Sequence, residues 1–254
     1  MGSLLLNKNI LIMGLRNKWS IAWGIAKAAK EQGANLLLTY QGEREKDSAS
    51  ELAKHLEAQI YQCDISSDDE IDNLFNAIKL KYGKIHGLVH AIAHAKREDI
   101  HNSFINTSRD GFNHALEISA YSLVAVSRRA AELMSEGGSI VTLTYMGSEK
   151  VFPGYNVMGV AKAALEASVR YLAYDLGQFN IRVNALSAGP IKTISSKAIK
   201  DFGTILDVFE EKAPLRRKID QDDLGDAAVF LLSNLSRGIT GEVMYVDCGY
   251  NIMG

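Results

Sequence analysis

The sequence contains little of several residue types, and each shortage excludes a class of protein. Its 254 residues include only two cysteines and three prolines. Cys63 and Cys248 lie far apart in the chain and form neither a disulfide framework nor a zinc motif. We expect both to be free, buried thiols in a reducing compartment. So few prolines also exclude a proline-rich or collagen-like chain.

Long apolar runs are missing as well. No run approaches the roughly 20 residues that a membrane-spanning helix requires. Residues 1–10 carry one lysine and a short leucine cluster, without a signal-peptide cleavage pattern. The sequence therefore predicts a cytoplasmic protein with no membrane partner.

Neither sign of charge dominates the composition. There are 28 basic and 30 acidic side chains, which gives a formal net charge of -2. Nucleic-acid-binding proteins usually carry a basic excess, so no nucleic-acid partner is expected. The hydrophobic fraction of 47% excludes a disordered chain.

Short β-rich runs alternate with longer amphipathic runs. Several short runs are continuously apolar, which is typical of strands buried on both faces of a parallel sheet. The predicted strands are residues 10–13, 35–40, 59–63, 87–92, 139–144, 181–186 and 243–246. The predicted helices are residues 20–31, 45–56, 68–82, 109–134, 156–176 and 222–232. We predict an α/β, Rossmann-type, doubly wound parallel sheet of seven strands with helices on both faces, in a single domain over residues 1–254.

Residues 192–214 fit this alternation poorly. They carry scattered apolar side chains between the sixth and seventh predicted strands. Long insertions of this kind often cover a substrate site. We therefore predict a substrate-binding lid in this segment.

The turn after the first strand has features of a phosphate-binding site. Gly14 follows the strand and Ser20 opens a helix, although the turn lacks the G-x-G-x-x-G pattern. Free N–H groups at a helix start favour a phosphate, and a serine hydroxyl adds a donor. Ser20 could equally be an ordinary N-cap, and the two roles are compatible. Ile21 would pack beneath a cofactor or into the core.

Polar residues follow the second and third strands. Gln41 can hydrogen-bond to adenosine ribose hydroxyls. No basic residue sits immediately at the strand tip to hold a 2′-phosphate, although Arg44 is close. This favours NADH over NADPH. Asp64 could accept from the adenine amino group while Ile65 packs on the ring. The same residues also suit an ordinary turn before a helix.

His90 and His94 at the end of the fourth strand suggest a metal site. The sequence supplies neither a matching third ligand nor an H-E-x-x-H helix. We therefore expect no metal.

The most specific pattern lies after the fifth strand. Short-chain dehydrogenases carry Tyr-x-x-x-Lys on the next helix, but the residue four before Lys162 is Met158, which cannot transfer a proton. The available tyrosine is Tyr155, seven residues before the lysine. If the segment is helical throughout, Tyr155 and Lys162 lie on one face of the helix. The tyrosine hydroxyl is then displaced along the helix axis, relative to the Tyr-x-x-x-Lys pattern, by about 1.5 Å for each additional residue of spacing. Such a shift suits an α,β-unsaturated thioester, whose carbonyl is displaced from the carbon that accepts hydride.

Across essentially the whole chain the sequence resembles the bacterial enoyl-acyl-carrier-protein reductases of the FabI type, a divergent branch of the short-chain dehydrogenases. The helix motif Tyr-x6-Lys, with Tyr145 ten residues upstream, is the most specific part of the resemblance. The other motifs lie at residues 14–24, 63–64, 143–145, 182–185, 187–193, 200–202 and 241–243.

The resemblance implies roles for individual residues. Tyr155 would donate a hydrogen bond to the thioester oxygen, and Lys162 would bind the nicotinamide ribose. Tyr145 would line the acyl pocket, either as a catalytic partner of Tyr155 or only as an aromatic wall, and Ala95 would contact substrate. The implied cofactor-binding residues are Gly14, Ser20, Ile21, Gln41, Asp64, Ile65, Ile92, Lys162, Ile191 and Thr193.

The resemblance also implies partners. The substrate would be an acyl carrier protein that carries an enoyl chain, and the enzyme would be a homotetramer. Acyl carrier proteins are acidic, so a basic rim would assist docking. The candidate rim residues flank the predicted lid and are Lys192, Lys197, Lys200, Arg216, Arg217 and Lys218.

One stretch departs from the family pattern. His94 stands where phenylalanine is usual, and the charged run 96–99 after it is expected to be a solvated loop. Two other functions stay open at this point. One is a short-chain dehydrogenase acting on an alcohol or ketone, which Met158 argues against. The other is a non-catalytic dinucleotide sensor, which the presence of both Tyr155 and Lys162 argues against.

Overall fold

Seven parallel strands form one sheet in the computed structural model, which describes residues 3–193 and 202–253. The order is β3-β2-β1-β4-β5-β6-β7, and every neighbouring pair is parallel. Successive crossovers run outward from β1 in one direction and then from β4 in the other, so the sheet is doubly wound as predicted. The strands are β1 (Asn9–Met13), β2 (Asn35–Tyr40), β3 (Gln59–Gln62), β4 (Gly87–His90), β5 (Gly138–Thr144), β6 (Ile181–Ala188) and β7 (Val243–Val246).

Helices cover both faces of the sheet. One buried cluster joins strand residues to α1, α2 and α9, and a second joins them to α3, α6 and α7. Strands covered on both faces explain the continuous apolar runs in the sequence. The helices are α1 (Ile21–Glu31), α2 (Glu43–Leu56), α3 (Asp68–Tyr82), α4 (Arg97–His101), α5 (Arg109–Leu116), α6 (Ser122–Leu133), α7 (Asn156–Gly177), α8 (Phe202–Lys212) and α9 (Gln221–Leu232).

The predicted helix over residues 109–134 is interrupted. A π-helical turn, Glu117–Tyr121, separates α5 from α6. Within this turn the Ser119 hydroxyl donates to the His94 carbonyl at 3.1 Å, and it accepts from the His94 N–H at 3.0 Å. The π-helical turn is thus hydrogen-bonded to the segment after β4. No local sequence pattern predicts this tertiary contact.

The charged run 96–99 is only partly the solvated loop that we predicted, since Arg97 and Glu98 are exposed. It enters the short helix α4, and Asp99 is buried there. The Asp99 carboxylate accepts from the Ser108 N–H at 3.0 Å, which ties α4 to the start of α5. This bond satisfies only Oδ1 of Asp99, because Oδ2 is buried without a hydrogen-bond partner among the described residues.

Cys63 and Cys248 are both buried and free, as predicted. In the part of the chain that the structure describes, no helix is long and apolar enough to cross a bilayer.

Two glycines allow α1 and α9 to pack closely. A Cβ added at Gly24 would lie 2.5 Å from the Gln221 carbonyl oxygen. A Cβ added at Gly225 would lie 2.9 Å from both the Ala28 Cβ and the Gly24 oxygen. Backbone atoms cannot retreat as a flexible side chain would, so even a methyl group forces the helices apart.

We expect Gly24→Ala to lower the free energy of unfolding by about 1–3 kcal/mol, because the added methyl overpacks this contact. The matched control is Gly177→Ala at the end of α7, where an added Cβ meets nothing within 4 Å. Urea unfolding of both variants measures the difference. Equal stabilities would contradict the packing argument.

Candidate active site

The candidate residues after the strands meet at one edge of the sheet. Gly14 follows β1, Gln41 follows β2, and Asp64 with Ile65 follows β3. Ile92 lies beyond β4, while Ile191 and Thr193 lie beyond β6. Because all seven strands are parallel, their carboxyl ends share this edge, and the crevice opens where the winding reverses between β1 and β4.

The β1–α1 turn passes very close to the end of β4. Gly14 has φ +92°, and a Cβ there would lie 2.1 Å from the Ala91 oxygen. Only glycine combines this conformation with this approach. The Ser20 hydroxyl donates to the Asn17 oxygen at 2.7 Å and does not cap α1. Ser20 therefore leaves the first N–H groups of α1 without a side-chain cap, and free N–H groups of this kind form a natural anion site.

The predicted adenosine residues contact each other. The Gln41 amide donates to one Asp64 carboxylate oxygen at 3.0 Å, and the Ser66 N–H and hydroxyl donate to the other. Burial favours a higher pKa for Asp64, but these hydrogen bonds outweigh it and hold the pKa below its ordinary value. The end of β3 therefore carries a negative charge near neutral pH.

Tyr155 lies just before α7 rather than within it. The helix begins at Asn156, whose φ of +42° breaks the regular geometry between the tyrosine and the lysine. The idea of two continuous helical turns from Tyr155 to Lys162 is therefore wrong. Asn156 tolerates this conformation better than most residues. Its amide also donates to the Ile100 and Asn102 oxygens at 2.7 Å each, which fixes the bend.

Two glycines make room for the paired tyrosines. The rings of Tyr145 and Tyr155 pack edge to face with centroids 5.0 Å apart. A Cβ at Gly147 would lie 2.5 Å from the Tyr155 ring, and one at Gly159 would lie 2.6 Å from the Gly147 oxygen. Neither glycine was predicted from the sequence to shape the site. Gly159 offered a signal, because glycine inside a helix costs about 1 kcal/mol and so requires a packing reason.

Lys162 is buried on α7 against the end of β5. Its Nζ donates to the Leu143 oxygen at 2.7 Å, and the side chain is only 5% exposed. Burial lowers the pKa of Lys162 to about 8, although the carboxylate of Glu166 acts in the opposite direction. The site therefore holds a cation that titrates close to neutral pH.

Both tyrosines keep their protons. Burial raises the pKa of Tyr155, and its neighbours Tyr145 and Glu166 raise it further. Burial likewise raises the pKa of Tyr145. A neutral phenol is a hydrogen-bond donor, so Tyr155 can donate to an oxygen that gains negative charge.

An apolar lining surrounds the tyrosines. Ala95 packs in a buried cluster with Val157 and Met158, and Tyr155 contacts this cluster. Met158, four residues before the lysine, thus fills an apolar position. A cavity of ≈ 20 Å³, about the room for one water, lies beside Tyr145. It is lined by Tyr145, Met146, Phe152, Ser187, Ala188, Gly189, Pro190, Ile205, Phe209, Asp247 and Tyr250.

The two histidines that suggested a metal have other partners. The buried His90 ring lies 2.8 Å from the Ser122 hydroxyl and 3.0 Å from the Thr142 hydroxyl. His94 Nδ1 lies 2.7 Å from Nε2 of His114 on α5. Within residues 3–193 and 202–253, no group of three or more potential ligands is arranged to hold a metal ion.

Two residues of the predicted basic rim are engaged in ion pairs. Arg217 forms a two-bond pair with Asp223, and Lys218 pairs with Asp207 and Glu210. Lys192 is exposed. Lys197 and Lys200 lie outside the described residues, as does the part of the predicted lid over residues 194–201.

The fold and the site together define a Rossmann-type protein of the short-chain dehydrogenase/reductase class. A family model described as Enoyl-(Acyl carrier protein) reductase matches residues 14–251. The chain belongs to the enoyl-acyl-carrier-protein reductase family, as the motifs predicted.

Similar proteins agree with this assignment. The chain is 54% identical over 254 residues to the protein named enoyl-[acyl-carrier-protein] reductase [NADH] FabI of Bacillus cereus, with 99% of each chain covered. It is 55% identical over 248 residues to the Bacillus subtilis protein of the same name, with 96% of each covered.

Solved structures show the same fold. The Bacillus cereus reductase, crystallised with NADP+ and an indole naphthyridinone, superposes with a TM-score of 0.98 at 54% identity and full coverage of both chains. The Anaplasma phagocytophilum reductase in complex with NAD gives 0.97 at 46% identity, covering all of this chain and 97% of the other.

We expect stability to fall as the pH drops below about 6.5. Burial, helped by the charge of Lys162, lowers the pKa of His90 to about 3. An unfolded histidine binds its proton near pH 6.5, so between these values only the unfolded state is protonated. The free energy of unfolding should lose about 1.4 kcal/mol per pH unit from this group.

Urea unfolding at pH 7.5, 6.5, 5.5 and 4.5 measures this slope. His90→Gln should flatten it, whereas His55→Gln, on the exposed surface of α2, should not. Parallel slopes for the wild type and the His90 variant would overturn the assignment.

Proposed function

We propose that this protein reduces the trans-2 double bond of enoyl-acyl-carrier-protein thioesters, with NADH as the hydride donor, in the last reductive step of fatty-acid elongation. The observation that carries the proposal is the pairing of a neutral Tyr155, set before α7, with a buried, cationic Lys162. Membership of the reductase family supports the same activity.

The edge of the sheet fits a dinucleotide. The Gly14 turn leaves a surface without a side chain, and the amino end of α1 has no side-chain cap. A pyrophosphate suits this position. Gly14, Ser20 and Ile21 would hold it, Gln41, Asp64 and Ile65 the adenosine, and Ile92, Lys162, Ile191 and Thr193 the nicotinamide half. A reduced nicotinamide bound there supplies the hydride to the β-carbon.

The charge at the end of β3 supports NADH over NADPH. The Asp64 carboxylate holds the Gln41 amide. A 2′-phosphate placed beside Gln41 would meet a negative charge, which costs binding free energy in a partly desolvated site. Ribose hydroxyls meet no such penalty, because they donate to the carboxylate or accept from the amide.

Tyr155 and Lys162 would act on the substrate oxygen. Hydride addition at the β-carbon moves an electron pair onto the thioester carbonyl, and the Tyr155 hydroxyl donates to the oxygen that gains this charge. The Lys162 ammonium, held by the Leu143 carbonyl, stabilises the same anion and binds the ribose. Tyr145 packs against the Tyr155 ring and limits its orientation. Ala95 would contact the substrate beside this pair.

An alcohol or ketone dehydrogenase is the competing function. It would need its acid one helical turn before Lys162, where Met158 is buried among apolar side chains. The position of Tyr155 before α7 favours a carbonyl displaced from the carbon that receives hydride.

The described part of the predicted lid supports a substrate-covering role. Phe209 of α8 is buried beside the cavity and stacks on Tyr250 with centroids 5.0 Å apart. The cavity of ≈ 20 Å³ cannot hold an acyl chain. We therefore propose that α8 shifts away when the substrate enters, within a single domain that spans residues 1–254.

The free, buried cysteines fit a reducing cytoplasm, where the acyl carrier protein would be met. Because Arg217 and Lys218 are paired within the chain, docking would depend mainly on the remaining basic residues of the rim.

An assay with an enoyl thioester tests the activity. We expect NADH oxidation in the presence of enoyl-acyl carrier protein, slower turnover with NADPH, and none with a simple ketone. Tyr155→Phe should lower kcat by about 10²–10³-fold, because it removes the donor to the oxyanion, while NADH still binds. Tyr121→Phe, an exposed tyrosine at the end of the π-helical turn, is the control. A normal kcat in Tyr155→Phe, or turnover of the ketone alone, would reject the mechanism.

We also propose a homotetramer. Tyr171, Tyr174 and Phe179 leave a large aromatic surface on and after α7, with exposed fractions of 76%, 85% and 59%. Patches of this kind usually mark an interface. The apolar side chains of α6, by contrast, are mostly buried within the chain's own core.

Light scattering should give four times the mass of one chain. We expect Tyr174→Asp to dissociate the assembly, because a charge in an apolar contact is costly. Leu80→Asp, equally exposed on α3, should leave the mass unchanged. A monomeric wild type would reject the proposal.

A further inference from the structure

One buried carboxylate in the site has no role in the mechanism above. Glu166 lies one helical turn after Lys162 on α7 and is 6% exposed. A buried carboxylate is costly unless it is paired, so its position calls for an explanation.

The end of β5 holds both side chains. The Leu143 carbonyl accepts from Lys162 Nζ at 2.7 Å, and the hydroxyl of the next residue, Thr144, donates to Glu166 Oε1 at 2.5 Å. Successive strand residues thus fix two side chains of opposite charge that are one turn apart on the same helix face.

We propose that Glu166, held by Thr144, is a positioning residue that keeps Lys162 protonated and aimed at the reacting end of the site. This inference rests on the proposed reductase activity. In this role Glu166 acts through the lysine and not by contact with the substrate or the cofactor.

The remaining titratable neighbours do not change charge in the range that matters. His90 on β4 lies near Lys162, and burial lowers its pKa to about 3, so it is neutral above pH 5. Tyr155 and Tyr245 on β7 lie near Glu166, and burial raises the pKa of both, so they stay neutral below pH 10. Between these limits Lys162 is the group of this cluster that loses a proton.

Removal of the carboxylate charge should therefore move the loss of that proton to lower pH. We expect the basic limb of the kcat/KM profile in Glu166→Gln to shift down by about one pH unit, with activity near wild type at pH 6 and about five-fold lower at pH 8. Thr144→Val should shift the limb in the same direction, and Thr144→Ser should restore it. Asp175→Asn, exposed on the same helix, is the control.

A second measurement needs no turnover. The folded state releases the Lys162 proton near its lowered pKa, whereas the unfolded chain keeps it to about pH 10.4. The free energy of unfolding therefore gains a positive slope above that pKa, and in Glu166→Gln this slope should begin about one unit lower.

The two measurements separate the possible failures. A wild type that turns over, with a basic limb and an unfolding slope that are the same in Glu166→Gln, overturns the role of Glu166. A wild type without turnover rejects the proposed function, and the unfolding slope then decides the role of Glu166 alone.

Discussion

The parallel direction of all seven strands is the constraint on which the site depends. Parallel pairing places every strand's carboxyl end at one edge, so residues as distant in sequence as Gly14 and Ile191 belong to one crevice. It also requires a long crossover after each strand, and these crossovers supply the helices that bury the sheet on both faces. The core and the crevice are therefore two results of the same topology.

The second constraint on the site is the burial of charged groups. The site withdraws Lys162 from water, and this burial lowers the pKa of the ammonium group to about 8. At the end of β5, the Leu143 carbonyl accepts a hydrogen bond from Lys162, and Thr144 holds the Glu166 carboxylate in place. Burial has the opposite effect on Tyr145 and Tyr155, because it raises the pKa of a phenol and so keeps it protonated. A low-dielectric site thus retains a donor and a cation side by side, which is what stabilisation of an oxyanion demands.

The sequence predicted most of this arrangement and failed at identifiable places. Strand and helix cores were predictable, because strands buried on both faces read as continuous apolar runs and amphipathic helices keep an apolar periodicity. Strands β2 and β7 and helix α3 have the expected bounds. The predicted cofactor residues lie at the expected strand ends, since that follows from topology alone. The misses concern tertiary contacts: the turn at Ser119 depends on a loop distant in sequence, and Asp99 is buried because Ser108 meets it. The contact between His94 and His114 is of the same kind.

Because of the bend at Asn156, Tyr155 and Lys162 are held in position by different parts of the protein. Lys162 lies on a 22-residue helix and is hydrogen-bonded to the Leu143 carbonyl of β5, so the helix and the strand together fix its position. Tyr155 belongs to the preceding turn, whose direction is set by two amide contacts to the segment around α4. The phenol can therefore be re-aimed by changes in that segment while the ammonium stays still. Substitutions in that segment would therefore change the direction of the hydrogen-bond donor without changing the part of the site that holds the charge.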